Sequence, residues 1–142
     1  MRVVVPFGPH HPALHEPEHF TFEVDGEVVV GVRPRIGYVH RGIEKLAESK
    51  TWIQNLYLVE RVCGICNVSH TLCYVEAVED LIGLEPPKRA KYLRLIAHEL
   101  NRLHSHLLWL GVMAELMGYH TLFMYTWRDR ELVMDLMEEL TG

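Results

Sequence analysis

The sequence predicts an α+β fold that is mainly α, with a β-hairpin near the N-terminus packed on a bundle of about four helices. Before Gly42, short valine-rich or alternating segments are separated by glycine and proline, which is typical of strands and turns. After Gly42, apolar residues recur at steps of three and four, the spacing of one helix face. We therefore expect a single domain over residues 1–142, with a β and loop region at 1–41 and a helical region at 42–142.

A hairpin is predicted in the first region. Residues Phe20–Val24 alternate with polar neighbours, and Glu27–Val32 are rich in valine. The Asp25-Gly26 pair between them favours a two-residue turn, because both residues tolerate positive φ. The preceding segment, Gly8–Pro12, is predicted to be irregular, since each proline lacks an N–H and biases the residue before it away from helix.

Three helices are predicted in the first half of the helical region. A short one covers Ile43–Glu48, and a second covers Trp52 to about Glu60 with Thr51 as its N-cap. A third runs from about Gly64 to Leu81 and ends at Gly83, because glycine readily takes the left-handed conformation that closes a helix.

The longest predicted helix begins at Pro86-Pro87 and closes at Gly118, and a final helix covers about Trp127 to Leu140. We interpret the long helix as packing against a real core, for which 142 residues suffice. Its apolar stripe consists of Leu93, Ala97, Leu100, Leu103, Leu107, Leu110, Ala114 and Met117. The opposite face carries Lys91, Arg94, His98, Arg102 and Ser105.

Composition narrows the class of protein. A hydrophobic content of 49% argues against disorder, and a net charge of -5 gives no basic footprint for nucleic acid. The Val3–Val5 run is far too short for a signal peptide, and no stretch approaches the ~20 apolar residues that span a bilayer. We expect any association with a membrane to run through partner proteins.

Three cysteines, Cys63, Cys66 and Cys73, fall within eleven positions. An odd number in so short a window argues against a disulfide framework. Without a secretion signal we expect a reducing compartment, where clustered thiols bind metal or perform redox chemistry.

The Cys63-x-x-Cys66 spacing can aim both sulfurs at one metal, especially at a helix start, where free N–H groups favour thiolate. Gly64 between them lets the backbone approach whatever the sulfurs hold. Cys66 and His70 are four apart, so on a helix the histidine can donate a hydrogen bond to the sulfur. We also expect Arg61 to form an ion pair with Glu60.

This spacing alone leaves other interpretations open. A structural zinc site needs four ligands, and no second ligand pair follows at finger-like spacing. A thioredoxin-like redox pair is expected in a βαβ context, whereas helix follows helix here. Cysteines buried in a core without any metal are the third possibility.

The residues around the cysteines point to a family. Arg61-x-Cys63-Gly64-x-Cys66-x-x-x-His70 resembles the first cysteine motif of nickel–iron hydrogenase large subunits. Further segments resemble the membrane-bound group of these enzymes, which is related to the 49 kDa subunit of respiratory complex I. They are Gly8–Pro12, Ile36–Lys45, Arg89-Ala90, Glu99–Leu108 and Phe123–Gly142. The resemblance spans nearly the whole chain and implies the N-terminal half of such a large subunit.

The resemblance implies a nickel–iron centre with carbon monoxide and cyanide on the iron. Cys63 would be a terminal nickel ligand and Cys66 would bridge nickel to iron. His70 would lie beside the bridging sulfur, and Arg61 beside the same centre.

Two residues of the N-terminal region gain expected roles from the same resemblance. Glu16 lies where the family places a glutamate that carries protons to and from a nickel-bound thiolate; the alternative is a solvated loop carboxylate. His11 corresponds to a histidine near the quinone headgroup in complex-I relatives. The cysteine pair favours a metal site here, so we expect His11 to be a loop or proton-path residue.

The family's centre uses four cysteines, and the second pair lies in a C-terminal Asp-Pro-Cys-x-x-Cys motif that this sequence does not contain. The resemblance therefore implies that a C-terminal half of the large subunit supplies that pair. It also implies an iron–sulfur small subunit as electron carrier, membrane subunits, and a location peripheral to the cytoplasmic face of the cell membrane.

The expected activity is reversible oxidation of H2 and reduction of protons by the assembled complex, with no activity of this chain alone. One alternative is a non-hydrogenase, quinone-reductase-like subunit of a complex-I-related oxidoreductase. The other is a zinc-binding interaction module.

Overall fold

The computed structural model describes all residues from 1 to 142 and confirms the predicted class, α+β and mainly α. The chain folds as two compact units, Met1–Gly42 and Ile43–Gly142. All strands lie in the first unit and all helices in the second.

The first unit contains a three-stranded antiparallel sheet in the order β1-β2-β3. Its strands are β1 (Arg2–Phe7), β2 (His19–Asp25) and β3 (Val28–Arg35). The β2–β3 hairpin was predicted, but β1 was not, because its short valine run has no flanking pattern that identifies a strand.

The predicted position of the hairpin turn was wrong by one residue. The turn is Gly26-Glu27, with φ of +62° at Gly26, while Asp25 still pairs with Val28. The N-terminal amino group lies 3.0 Å from the Asp25 carboxylate, which helps to keep Asp25 in the strand. A bulge beside the pair Glu23–Gly31 shifts the register before the turn.

The loop between β1 and β2 is irregular, as the prolines predict. It is closed by backbone hydrogen bonds from Leu14 N–H to His11 O, at 2.9 Å, and from Glu18 N–H to Pro9 O, at 3.2 Å. Gly8 has φ of +87°, and a Cβ there would lie 1.8 Å from the Glu18 carbonyl oxygen. Only glycine fits at this point, so the loop depends on Gly8.

The second unit contains five helices. They are α1 (Ile43–Ala47), α2 (Trp52–Val59), α3 (Asn67–Ile82), α4 (Lys88–Leu116) and α5 (His120–Thr141). None of them is both long enough and apolar enough to cross a membrane.

Local capping chemistry sets most helix boundaries. Thr51 caps α2 through a capping box with Gln54, as predicted for the threonine. Gly83 and Gly118 both have positive φ, and the residues after them donate back across the last turn, from Leu84 to Glu79 and from Tyr119 to Ala114.

Two predicted helix starts were wrong. Helix α3 begins at Asn67 instead of Gly64, because Cys66 is its N-cap residue and has non-helical backbone angles. Helix α5 begins at His120 instead of Trp127, since the chain re-enters a helix immediately after Gly118 and Tyr119. The consecutive apolar residues Leu122–Tyr125 show no helical period, and this hid the early start in the sequence pattern.

The prediction of a well-formed core was also wrong for this chain. Ala114 is the one buried hydrophobic residue, and no large side chain is fully buried. In the apolar stripe of α4, Leu103 is 53% exposed and Met117 is 58% exposed. Helix α5 covers only a narrow strip of α4. Arg94 and His98 were predicted to lie on the face of α4 opposite the core, but they contact α3.

Helices α4 and α5 form an antiparallel hairpin. His104 on α4 contacts Arg130 on α5, while Gly111, further along α4, lies against Thr126, which is earlier on α5. The two helices approach closely because the buried residues along their contact, Gly111, Ala114 and Thr126, are small.

Candidate metal centre

The two cysteines lie on a bend between α2 and α3, which we call the cysteine turn (residues 63–66). Cys66 is the N-cap residue of α3, and its carbonyl oxygen accepts a hydrogen bond from His70 N–H at 3.3 Å. The turn therefore lies at the N-terminus of a 16-residue helix, where free N–H groups and the helix dipole favour negative charge.

The two sulfur atoms interact with each other. A side-chain hydrogen bond with Cys63 raises the pKa of the Cys66 thiol, and partial burial and the charge of Cys63 raise it further. The Ile65 N–H, from the residue between them, donates to the Cys63 sulfur at 3.4 Å. The two thiols are thus neighbours on the same turn.

A buried amide from α4 holds this turn. Asn101 is only 4% exposed, and its Nδ2 donates to the Ile65 carbonyl oxygen at 3.1 Å. Asn101 had no predicted role. The signal was available, because Arg94, His98 and Asn101 follow each other at steps of four and three along one face of α4.

The other members of that face join α3 to α4. Both guanidinium nitrogens of Arg94 donate to the Glu79 carboxylate, at 2.6 and 2.7 Å, and the Ser69 hydroxyl lies 3.4 Å from His98 Nδ1. The hydrogen bond from Arg94 holds the pKa of Glu79 below its ordinary value. We call these three contacts, Asn101–Ile65, Ser69–His98 and Glu79–Arg94, the α3–α4 clasp.

The predicted neighbours of the centre lie on either side of the turn. Arg61 forms an ion pair with Glu60, at 3.3 Å between Nη1 and Oε1. His70 is on the second turn of α3, and its ring makes no hydrogen bond to Cys66, so its role beside a bridging sulfur stays a prediction.

Glu16 and His11 belong to the other unit, in the loop between β1 and β2. Both line a cavity of about 400 Å³ that is also lined by His10 and His15. The His11 Nδ1 accepts a hydrogen bond from Ala13 N–H at 3.1 Å. Glu16 is exposed and makes no ion pair within the chain, so its carboxylate is open to solvent.

The donor set fits part of a thiolate centre. No group of three or more His, Cys, Asp and Glu side chains that could hold a metal is assembled, and Cys73 is exposed on α3. A Cβ added to Gly64 would meet no atom within 4 Å, so the space beside Gly64 is open. The chain thus offers two cysteine side chains on one turn, which fits half of a centre with four cysteine ligands.

Comparison with known proteins identifies the family. A model of the nickel-dependent hydrogenase family matches residues 41–116, just over half of the chain. The matched segment contains the cysteine turn and ends with the last residue of α4.

Individual relatives include both hydrogenases and other oxidoreductases. The chain is 49% identical over 140 residues to the alpha subunit of the membrane-bound hydrogenase of Pyrococcus furiosus, covering 99% of this chain and 33% of the relative. It is 45% identical over 138 residues to the carbon monoxide-induced hydrogenase of Rhodospirillum rubrum, with 97% and 38% coverage. It is 43% identical over 139 residues to an NADH-quinone oxidoreductase subunit of Thermodesulfovibrio yellowstonii, with 98% and 35% coverage.

The fold is also similar to a solved structure. A chain of the membrane-bound sulfane sulfur reductase, an archaeal respiratory membrane complex, superposes with a TM-score of 0.92 at 33% identity, covering 99% of this chain and 38% of that one. The chain therefore spans little more than a third of the length of the relatives it matches. Family match, identity and fold agree: the chain belongs to the nickel-dependent hydrogenase family, which here extends to the related subunits of respiratory membrane complexes.

Proposed function

We propose that this chain is part of the large subunit of a nickel–iron hydrogenase and supplies two of the four thiolate ligands of its metal centre. The assembled enzyme oxidises H2 and reduces protons reversibly. The observation that carries this proposal is the position of Cys63 and Cys66 on one turn that leads into α3, with Cys66 as the N-cap residue of that helix. The similarity to two proteins named as hydrogenases supports it.

Each residue of the turn has a role in this proposal. Cys63 would be a terminal ligand of nickel, and Cys66 would be the ligand that nickel and iron share. When bound, the centre, whose iron carries carbon monoxide and cyanide, supplies heterolytic cleavage and formation of H2. His70 and Arg61 flank the sulfurs, where a hydrogen-bond donor and a positive charge stabilise thiolate.

Glu16 is the proposed proton carrier. Splitting or forming H2 requires a base that accepts and returns protons. Its carboxylate is exposed and lines the cavity of the β1–β2 loop together with His11, which can extend a proton path to solvent.

The exposed apolar surface supports partners that complete the enzyme. Leu103 and Leu110 on α4 and Met117 directly after it are each at least 40% exposed, and they form a large apolar surface of the kind that marks an interface. We propose that the C-terminal half of the large subunit covers it and brings the second cysteine pair. An iron–sulfur small subunit carries the electrons, and membrane subunits hold the complex at the cytoplasmic face.

Replacement of Cys66 by serine tests the metal role. Serine is a preferred N-cap, so α3 should stay folded while the bridging sulfur is lost. We expect Cys66→Ser to reduce hydrogen uptake by the assembled complex to background and to lower its nickel and iron content. Cys73→Ser, an exposed position on the same helix, is the matched control and should retain both. Normal activity in Cys66→Ser would remove Cys66 from the bridge.

Replacement of Glu16 by glutamine tests proton transfer. Glutamine keeps the size of the side chain but cannot carry the proton, so Glu16→Gln should block hydrogen/deuterium exchange while the nickel content remains normal. Glu18→Gln, an exposed carboxylate of the same loop, is the control. An exchange rate equal to that of the control variant would reject the role of Glu16.

A second candidate function follows from the other relatives. The chain is 43% identical to an NADH-quinone oxidoreductase subunit and 40% identical to a subunit of the F(420)H(2) dehydrogenase of Methanosarcina mazei. In this alternative the chain belongs to a complex-I-related oxidoreductase that does not use H2. Metal analysis at this site in the native complex separates the candidates. Nickel with iron supports the hydrogenase, no bound metal supports the alternative, and zinc alone would indicate an interaction module.

A further inference from the structure

We propose that Asn101 is a positioning residue that holds the cysteine turn in the conformation in which both sulfurs reach one metal ion. The metal part of this inference rests on the proposed function, whereas the conformational part concerns only this chain. Asn101 lies inside α4, 36 positions after the residue that it binds.

The contact is made at the centre of the turn. Asn101 Nδ2 donates to the carbonyl oxygen of Ile65 at 3.1 Å and lies 3.5 Å from Asn67 Oδ1. Asn101 is 4% exposed, so water has little access to its amide. If the amide lost its hydrogen bonds to Ile65 and Asn67, it would be buried without a partner, which is unfavourable. The hydrogen bond therefore ties the turn to a fixed point on a 29-residue helix.

One residue transmits this contact to both cysteines. The Ile65 carbonyl belongs to the peptide bond that leads into Cys66, so fixing its direction restrains the backbone of Cys66. The Ile65 N–H, on the other side of the same residue, donates to the Cys63 sulfur at 3.4 Å. A hydrogen bond to a sulfur ligand orients it and withdraws charge from it, and the Asn101 contact restrains the residue that carries this donor.

The other two contacts of the α3–α4 clasp do not involve the cysteine turn. Ser69 and Glu79 contact α4 from within α3, so they place the helix, whereas Asn101 reaches the turn before the helix begins. Loss of Asn101 should therefore loosen the turn without separating α3 from α4.

The test uses Asn101→Leu in the assembled complex. Leucine keeps the volume of the side chain but donates no hydrogen bond. In the metal-free complex, we expect deuterium exchange of the backbone amides of residues 63–67 to become roughly tenfold faster, the change expected for losing one buried hydrogen bond. In the loaded complex, we expect an altered electron paramagnetic resonance spectrum of nickel at equal nickel content, a readout that a general loss of stability would not move.

Thr126→Val is the matched control. Thr126 is as buried as Asn101, and its hydroxyl donates only to Phe123 O within α5. This variant should leave the exchange of residues 63–67 and the nickel spectrum unchanged. If Asn101→Leu does not assemble, Asn101→Ser replaces it, because serine is too short to reach Ile65 but leaves the surrounding packing in place.

The outcomes separate this inference from the proposed function. Unchanged exchange at residues 63–67 and an unchanged nickel spectrum in the Asn101 variant would overturn the positioning role and leave the hydrogenase proposal intact. Faster exchange at the turn in a complex whose wild type holds no nickel would support the positioning role and reject the hydrogenase proposal.

Discussion

Helix α4 contacts its two neighbours in different ways. Its contact with α3 is the clasp of directional polar contacts, in which Arg94, His98 and Asn101 each meet a partner. Its contact with α5, which we call the α4–α5 seam, depends on small residues that let the backbones approach, chiefly Gly111 and Ala114. Directional bonds fix rotation and register, so the clasp is suited to placing the cysteine turn, while the seam mainly sets a distance.

The polar groups of the two contacts differ as well. In the α4–α5 seam, Arg130 donates to His104 Nε2, and burial together with the charge of Arg130 lowers the pKa of His104. Three other buried nitrogen atoms of the seam have no hydrogen-bond partner within the chain: His104 Nδ1, Arg130 Nε and Trp127 Nε1. The clasp instead pairs a cation with an anion, so we expect the two contacts to respond differently to substitution and to pH.

The largest expected effect is at Gly111. A Cβ there would lie 2.5 Å from Thr126 Oγ1 and 2.9 Å from the Trp127 ring, and the threonine is buried and cannot move away. We expect Gly111→Val to destabilise the chain by about 2–3 kcal/mol through overpacking, and to separate α5 from α4. Urea unfolding followed by circular dichroism measures this.

Leu110→Val is the control for Gly111→Val, because it places the same branched side chain on the neighbouring, 40% exposed position. Its unfolding midpoint should stay within a few tenths of a molar unit of the wild type, as expected for a surface substitution of about 0.5 kcal/mol. Equal midpoints for the two variants would mean that close approach at Gly111 does not hold the seam.

The sequence predicted the local features of the fold but not the face of α4 that is covered by other helices. Features that depend on neighbouring residues were predictable: the Thr51 cap, the Gly83 and Gly118 terminations and the β2–β3 hairpin. Which face of α4 is covered depends on residues far along the chain, and a helical period cannot choose among partners. The stripe of leucines therefore predicted a core that this chain does not contain.

The candidate site divides in the same way. The cysteine spacing predicted that Cys63 and Cys66 lie on one turn at the start of a helix, and α3 begins directly after Cys66, whereas their role as metal ligands stays a prediction. The spacing of Arg94, His98 and Asn101 could have indicated a shared polar face of α4, but not the partner of Asn101, because Ile65 lies 36 positions earlier in the turn between α2 and α3. Only the fold brings the amide to the turn.

The next largest effect is expected for the clasp. Glu79→Gln removes the charge from a carboxylate that accepts two hydrogen bonds from Arg94 and is mostly buried, so the variant should unfold at a lower temperature than the wild type. Glu99→Gln is the control, because Glu99 pairs with Arg102 on the exposed surface of α4. Exposed pairs contribute little, so its melting temperature should change less.

The contribution of Glu79 to the clasp should depend on pH. Because Arg94 lowers the pKa of Glu79, the stability from the charged carboxylate is present above its ordinary pKa of 4.5 and is lost as the pH falls through the lowered value. The difference in melting temperature between wild type and Glu79→Gln should therefore shrink below pH 4.5. A difference that stays constant down to pH 3 would show that the charge of Glu79 does not stabilise the clasp.

The smallest effect on stability is expected at His104. This histidine loses its stabilising effect at a higher pH than Glu79, so the α4–α5 seam and the clasp should weaken in different pH ranges. Since burial lowers the pKa of His104 below its ordinary 6.5, the unfolded state takes up the proton first when the pH falls, and the α4–α5 seam loses stability from about pH 6.5 downward. His104→Gln, which keeps a polar side chain but does not titrate, should show a flatter decline of unfolding free energy between pH 7.5 and 5. His106→Gln removes an exposed histidine from the same helix and should keep the wild-type decline. Because His104 titrates below pH 6.5 and Glu79 below pH 4.5, we expect deuterium exchange at pH 5 to become faster in α5 before it does in α3. Faster exchange in α3 first would contradict this order.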